Sequence, residues 1–423
     1  MSYKSRIADE MLAIKLKSKG ACIVEGAKWC GKTTTALQQA KSVLRMDEPL
    51  TKKANIRMAQ INPSRLLAGD APRLIDEWQL APSLFDAIRY EVDVRGLEGQ
   101  FILTGSSVLP DSDERTHSGT GRYSWLKMRP MSLFESLEST GEVSLAELFK
   151  TPSFIEGTNH LSFNDLTFAT CRGGWPHAVG MEKDYALLQA FDYVDGVAKS
   201  DISRVDGVKR SEETTRRLLR SYARNIGGQV SFEEIKKDVD ASSGNKIAEN
   251  TFLSYINALK KIYLIEDMTA WNPNLRSKTA VRTTDTRYFV DPSIAVASLG
   301  LGTEDLANDL NTFGFLFECL CVRDLRIYAE SLGGNVYHYR DKSGLECDAV
   351  VHLKNGKYGL IEIKLGDDMA IMEGKETLNR LADLIDTTKM KEPSFKMVLV
   401  GVGNYAYRDE DGIYIVPIGC LKN

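Results

Sequence analysis

One eight-residue run, Gly26-Ala27-Lys28-Trp29-Cys30-Gly31-Lys32-Thr33, constrains this chain more than any other stretch. It fits GxxxxGK[ST]. The glycines of such a loop let backbone N–H groups wrap phosphate oxygens, the lysine brings positive charge to the outer phosphates, and the hydroxyl can ligate Mg²⁺. The pattern alone recurs by chance, so its setting matters. It follows Ala21-Cys22-Ile23-Val24-Glu25, which reads as a buried strand, and it opens a helix expected over Thr33 to Lys41. That helix aims its positive dipole end at a bound anion. Gly26 through Thr33, with Thr34 beside them, are the expected nucleotide contacts, with ATP and Mg²⁺ as cofactors. A turn that holds no nucleotide is the competing reading.

The following segment supplies partners for such a loop. Arg73-Leu74-Ile75-Asp76 and Gln100-Phe101-Ile102-Leu103-Thr104 read as further short strands, and strand–helix alternation implies a parallel sheet covered by helices. In Leu74-Ile75-Asp76-Glu77, Asp76 is placed to hold Mg²⁺ through water and Glu77 to polarise the attacking water. Thr104, followed by Gly105-Ser106-Ser107, ends the next strand, where a polar residue would sit by the γ-phosphate and help orient water; a strand-ending turn is the alternative. The polar tract Pro110 to Thr120 is expected to be a mobile loop. Arg115 lies in it, with Arg122 and Arg129 just beyond. Arg122 is the candidate for stabilising transferred-phosphate charge, often a role filled from a neighbouring subunit, which would require a homo-oligomer. A structural or solvated arginine is the plainer alternative.

Composition narrows the classes. At 423 residues the chain suits two or three domains, and 43% hydrophobic with 26% charged residues is ordinary globular usage. No apolar run approaches the roughly 20 residues of a membrane span. Met1 to Leu16 mixes charged residues among apolar ones, unlike a signal peptide, so a cytoplasmic protein is expected. Seven cysteines show no CxxC pair, which favours buried thiols over zinc or disulfides. A net charge of −4 neither advertises nor excludes nucleic acid, because a local basic face matters more than the total.

Beyond Gly141 the pattern reads as mostly helical to Arg210, broken by Arg172-Gly173-Gly174-Trp175-Pro176. Glu212 to Ile226 is an expected helix. Ser231 with Glu234 forms a capping box for a second, and Ala248 to Ile262 carries Phe252, Tyr255, Ile256 and Leu259 on one face of a third. Tyr263-Leu264-Ile265 and the stretch near Trp271 would make a wing hairpin. From Asn311 the order helix, strand, strand, helix, strand is expected. The resulting domains are 1–145, 146–300 and 301–423.

A second constellation lies near the end. Gly344 to Val351 and Tyr358 to Lys364 read as half-buried strands of a hairpin, with Asn355-Gly356 favouring the tight turn. Asp348 and Glu362 are placed to converge on one metal, Lys364 projects on the same face as Glu362, and Glu318 on the preceding helix is a further candidate ligand. Two carboxylates and a lysine suit metal-dependent phosphodiester cleavage. Edge-strand charges facing solvent fit the same spacing.

Taken together, Gly26 to Thr33, Leu74-Ile75-Asp76-Glu77 with Gln79, Leu103 to Ser107, Gly121-Arg122, Gly173-Gly174-Trp175-Pro176, Asp291-Pro292, Phe317-Glu318, Tyr339-Arg340, Glu346-Cys347-Asp348 and Glu362-Ile363-Lys364 resemble the prokaryotic AAA-type ATPases that carry a C-terminal domain of unknown function. The resemblance runs over nearly the whole chain. It implies an α/β P-loop NTPase core, a helical winged-helix segment, and an α/β domain like the PD-(D/E)xK nucleases. It places Lys32 and Thr33 on nucleotide and Mg²⁺, makes Asp76 and Glu77 the Walker B pair, Thr104 the sensor and Arg122 the arginine finger, and puts Glu318, Asp348, Glu362 and Lys364 on the nuclease-like site. Cys347 stands where the nuclease motif has proline, and Trp29 and Cys30 are unusual fillings of the loop. Two functions follow as expectations. One is ATP hydrolysis coupled to DNA binding or processing, with the helix ending in Lys260-Lys261 approaching a groove and Lys209-Arg210 a second basic pair on an expected linker; solvated faces are the plainer reading of both. The other is a nucleotide-dependent switch that binds protein partners, its nuclease-like domain inactive.

Overall fold

The computed structural model describes residues 3–106, 119–243, 246–274 and 281–423. Ser107, Arg115 and most of the tract Pro110 to Thr120 lie outside the described residues. The chain forms two compact units. The first comprises Met1–Pro130, Ser200–Arg210 and Ser254–Leu264, and the second comprises Met131–Lys199, Ser211–Leu253 and Ile265–Asn423.

In the first unit the element order is α1 (Ile7–Ser18), β1 (Ala21–Gly26), α2 (Lys32–Leu37), β2 (Ser42–Arg45), α3 (Lys52–Ile61), α4 (Pro63–Leu67), β3 (Arg73–Asp76), α5 (Leu84–Arg95), β4 (Phe101–Gly105) and β5 (Tyr123–Met128). The five strands pair in parallel in the order β2-β3-β4-β1-β5. Alternating residues of each strand feed two cores. Ala21, Ile23, Ile75, Phe101 and Leu103 join Phe85, Ile88 and Val92 of α5. Cys22, Val24, Leu74, Ile102 and Leu126 join Leu12 and Leu16 of α1 and Ala36 of α2. Burial on both faces is what makes these strands short continuous apolar runs. Each fully buried Leu, Ile, Val or Phe contributes about 1.5–3 kcal/mol of burial free energy. The helix expected over Thr33 to Lys41 is shorter, because Lys41 N already donates to Pro72 O at 2.8 Å as the chain turns into β2. The strand β2 itself has half-exposed residues and gave no apolar signal.

From residue 131 the order is β6 (Val143–Ser144), α6 (Leu145–Leu148), β7 (Gly157–Thr158), α7 (Phe163–Arg172), α8 (Lys183–Gly196), α9 (Ile202–Arg204), α10 (Glu212–Arg224), α11 (Phe232–Ser243), α12 (Glu249–Lys261), α13 (Pro292–Leu299), α14 (Thr303–Asn308), α15 (Leu310–Ser331), β8 (Gly334–Arg340), β9 (Glu346–Leu353), β10 (Tyr358–Lys364), α16 (Asp368–Leu384), β11 (Phe395–Val400), β12 (Tyr405–Arg408), β13 (Tyr414–Pro417) and β14 (Leu421–Lys422). The stretch after Gly141 is therefore not wholly helical: β6 pairs with β14 and β7 with β12. Seven strands form a mixed sheet in the order β7-β12-β13-β11-β10-β9-β8. Both α15 and α16 pack on its central strands β9 and β10.

Two local expectations give way to tertiary packing. Among the described residues, Ile265 bridges Phe289 and Met268 bridges Thr286, while Trp271 N donates to His338 O at 2.7 Å. The arm expected to pair with the stretch near Trp271 thus pairs antiparallel, through Ile265 and Met268, with Phe289 and Thr286 instead. The indole of Trp271 is buried against Tyr339 and Tyr358, and that burial outweighs a local turn. Strand β10 is also not half-buried. Lying between β9 and β11, it is buried from Tyr358 to Ile363, which removes the solvent-edge reading of Glu362. The turn at Gly356 takes a φ of 80°, as its glycine allows.

One polar knot sits deep in the second unit. Arg323, on the buried face of α15, donates to Asp291 at 2.9 Å and to Asp324 at 2.8 Å. Asp291 also caps α13 through Ser293 N at 3.0 Å and accepts from Gly174 N at 2.9 Å, while Asp324 accepts from Leu133 N at 2.9 Å. Gly173 and Gly174 are required here, since a Cβ at 173 would fall 2.3 Å from Asp291 Oδ1 and one at 174 would fall 2.1 Å from Met131 O. The Gly-Gly-Trp-Pro and Asp-Pro motifs thus meet on one buried guanidinium.

Candidate functional site

The phosphate-binding loop leaves the C-terminal end of β1. Gly26 has a φ of 150°, and a Cβ there would lie 2.0 Å from Met128 O of β5, so only glycine fits. Ala27 and Cys30 are buried, and Cys30 Sγ lies 3.5 Å from Met128 O. Gly31 takes a φ of 103° just before α2 begins at Lys32. Trp29 is exposed and holds a φ of 66°, a left-handed conformation uncommon for a bulky residue. Thr34 is exposed on the first turn of α2. Lys32 is buried, its Nζ donating to Gly26 O at 2.9 Å and Ala27 O at 2.7 Å within its own loop.

The sheet order brings the other residues to this loop. Strand β4 lies between β1 and β3, with Thr104 opposite both Val24 and Asp76. Asp76 Oδ1 accepts from Thr33 Oγ1 at 2.8 Å and from Thr104 Oγ1 at 2.6 Å. Glu77 follows in a left-handed conformation, φ 55° and ψ 42°, which turns it out of the strand. Its carboxylate accepts from Gln79 Nε2. Burial raises the Glu77 carboxyl above its ordinary range, and Gln79 partly offsets this. A hydroxyl and a carboxylate side by side are the oxygen ligands a hard cation such as Mg²⁺ takes, so Thr33 and Asp76 fit that ion.

Several supports were not legible as motifs. Arg6 is buried and donates to Cys30 O at 2.9 Å and to Arg129 O at 2.8 Å, bracing the loop from the N-terminal segment. Lys28 pairs with Asp201 at 3.0 Å, and Glu25 accepts from Tyr263 OH at 2.9 Å. Arg122 is elsewhere. It precedes β5, at the strand ends opposite the loop, and pairs with Asp93 at 2.8 Å.

In the second unit, Asp348, Glu362, Lys364 and Glu318 do come together. Lys364 Nζ is 2.8 Å from Glu362 Oε2 and 3.7 Å from Asp348 Oδ2, and Asp348 also accepts from Ile363 N at 2.8 Å. Tyr288 OH donates to Glu318 Oε1. Burial and the neighbouring Asp348 push Glu362 up to about 8, and the same two causes raise Glu318 well above the carboxylate range. Lys364 is raised despite its burial, because Asp348 and Glu362 favour its charged form. The cluster borders a cavity of about 380 Å³ lined in part by Glu318, Asp348, Lys364 and Tyr288. Among the described residues no three acidic, imidazole or thiol side chains converge with metal-ligand geometry, and the Lys364 ammonium sits against the Glu362 carboxylate where a cation would bind. As arranged, these residues do not fit a metal. All seven cysteines are buried and unpaired. No helix among the described residues is long and apolar enough to cross a membrane.

Known proteins place this geometry. Residues 18–137 match the model of the AAA domain. Residues 163–305 and 313–421 match two domains of unknown function, DUF8612 and DUF4143. The first part of the chain, residues 18–137, is thus a P-loop ATPase domain of the AAA type, which implies nucleotide binding. The chain is 24% identical over 372 residues to the uncharacterized proteins Rv2008c of Mycobacterium tuberculosis and Mb2031c of Mycobacterium bovis, covering 86% of this chain and 74% of each relative. The Walker-type ATPase PABY2304 of Pyrococcus abyssi aligns at 15% identity and a TM-score of 0.44, over 70% of this chain and 98% of that one.

Proposed function

We propose that the chain hydrolyses ATP with Mg²⁺ and couples turnover to binding or processing of DNA by its second unit. The observation that carries the hydrolytic reading is Asp76 Oδ1, which gathers the hydroxyls of Thr33 and Thr104 beside Lys32. With nucleotide bound, Lys32 would exchange its two loop carbonyls for phosphate oxygens. Thr33 and Asp76 would hold Mg²⁺, which neutralises charge on the β- and γ-oxygens. Thr104 orients water from the neighbouring strand end, and Glu77, turned out of β3, polarises it. A Glu77→Gln chain is expected to bind ATP normally but to turn over roughly 10²-fold or more slowly, the range of a lost general base. Stopped-flow binding and steady-state phosphate release check this, with Lys32→Ala as the non-binding control. Full turnover by Glu77→Gln would take that residue out of the reaction.

The DNA reading draws support from the buried cluster of Asp348, Glu362, Lys364 and Glu318, which costs the fold desolvation and so asks for a purpose. The domain limits 1–145, 146–300 and 301–423, the winged-helix reading of the middle segment and the nuclease likeness of the last belong to the same proposal. Because these residues as arranged do not fit a metal, the reading concerns DNA binding: Lys364→Ala is expected to weaken DNA binding by the second unit while leaving ATP turnover intact, checked by fluorescence anisotropy. Unchanged DNA affinity in that variant would take the cluster out of the reading.

A second reading has its own support. Lys364 seated against Glu362 is the arrangement of a module that binds without cutting. In that case the chain is a nucleotide-dependent switch, with ATP ordering its loops and the second unit docking partners. An ATPase rate unchanged by DNA at low salt would favour it.

A further inference from the structure

The cavity of the second unit has a mouth and a wall that the four charged residues do not account for. Phe315 lines it and remains 50% exposed, on the same face of α15 as Glu318 three residues on and Asn311 four residues back. The loop after α10 is built against that ring. Gly227 takes a φ of 73°, and a Cβ there would lie 3.0 Å from Phe315 Cδ1 and 3.4 Å from Glu318 Oε2. The loop is held in place because Gly227 N donates to Arg287 O at 2.9 Å and Arg287 N to Gly228 O at 3.0 Å. Gln229, also lining the cavity, has its amide nitrogen 3.1 Å from His338 Nδ1, and its buried Oε1 has no hydrogen-bond partner. That leaves an acceptor for a ligand N–H.

We infer that this cavity takes one unpaired base of a single strand, stacked on Phe315 with an N–H group turned to Gln229 Oε1. The inference rests on the nucleic-acid reading of the second unit but not on cleavage. A cavity of about 380 Å³ suits one small group, within the range of roughly 300–1,000 Å³ for single-molecule sites. An aromatic ring offers its face only to a base that is out of the helical stack, as in single strands, frayed ends or extruded nucleotides. In a duplex the base faces are already covered. The Gln229 acceptor then meets an exocyclic amino group or ring N–H that pairing would have hidden.

The test uses the full chain, without Mg²⁺ so that nothing is cut, and fluorescence anisotropy with a labelled 12-nucleotide single strand and a blunt hairpin duplex of the same stem length. The single strand is expected to bind more tightly. Phe315→Ala should weaken it roughly 5- to 150-fold, the effect of losing one base–aromatic stack, while Phe315→Trp retains binding, and ATP turnover, measured separately with Mg²⁺ and without DNA, stays unchanged in both. Equal or tighter binding of the duplex, with Phe315→Ala unaffected, overturns the pocket's assignment. Loss in both Phe315 variants assigns the effect to packing of α15 and overturns the stacking role. If no form of nucleic acid binds at all, the nucleic-acid reading itself falls.

Discussion

A chain carrying Arg122→Ala is expected to bind ATP as tightly as the wild type and to hydrolyse it about 10³-fold more slowly or worse, the effect of an absent arginine finger. The sheet sets the reason. Gly26 at the start of the loop is opposite Met128, whereas Arg122 precedes Tyr123, which is opposite Ala21. Arg122 lies six residues along the chain from Met128, roughly 20 Å at the rise of a β-strand. Arg122 is therefore too far from its own loop to serve it, and we propose that it would act as a finger from a neighbouring copy. Its present partner, Asp93, is an exposed carboxylate, and an exposed pair of this kind holds an arginine weakly. Mixing inactive Arg122→Ala chains with inactive Lys32→Ala chains should restore measurable turnover, since each supplies what the other lacks. An Arg122→Ala chain that turns over at the full rate, or a mixture that stays silent although the subunits exchange, would sink the proposal.

Arg323→Ala is expected to destabilise the second unit by roughly 3–5 kcal/mol, the cost of breaking a buried ion pair from one side. Arg323 and its two carboxylates are almost wholly shielded from water. Without the guanidinium, Asp291 and Asp324 remain buried with no counter-charge. Burial already pushes Asp324 up to about 6 with Arg323 in place. In the variant Asp324 would bind its proton more tightly still in the folded state than unfolded, so stability falls as pH rises. The loss measured by denaturant unfolding should be smaller at pH 5 than at pH 8. An equal loss at both, or one within 1 kcal/mol of zero at pH 8, would show that the knot is not what holds α13 and α15 together.

The two sites differed in how far residue order revealed them. Gly26 to Thr33 and Asp76-Glu77 were readable because their chemistry is packed into contiguous residues flanked by buried strands. Thr104 was readable because it ends such a strand, although its place beside Asp76 depends on β4 lying between β1 and β3. Arg6 was not readable, since nothing near it in sequence announces contacts with Cys30 and Arg129. The Arg323 knot left a usable signal: Arg323-Asp324, like Glu318 and Arg326, interrupts a mostly apolar run from Phe313 to Ala329, and charges in such a run need partners. The pairing partner of Tyr263–Ile265 was misplaced for the opposite reason. A short apolar stretch carries no statement of which strand it will join, and the Trp271 indole found β8. Asp348 and Glu362 were recognised, but spacing could not say that Lys364 would lie against both.

The first compact unit also has a practical meaning for anyone cutting the gene. The chain leaves that unit after Pro130 and returns to it twice, at Ser200–Arg210 and Ser254–Leu264. A fragment ended at residue 130 would keep every phosphate-binding residue yet lose Asp201 from Lys28 and Tyr263 from Glu25. The ATPase is therefore stitched from three stretches of chain, and a nucleotide site purified from the first alone would be missing two of its own fastenings.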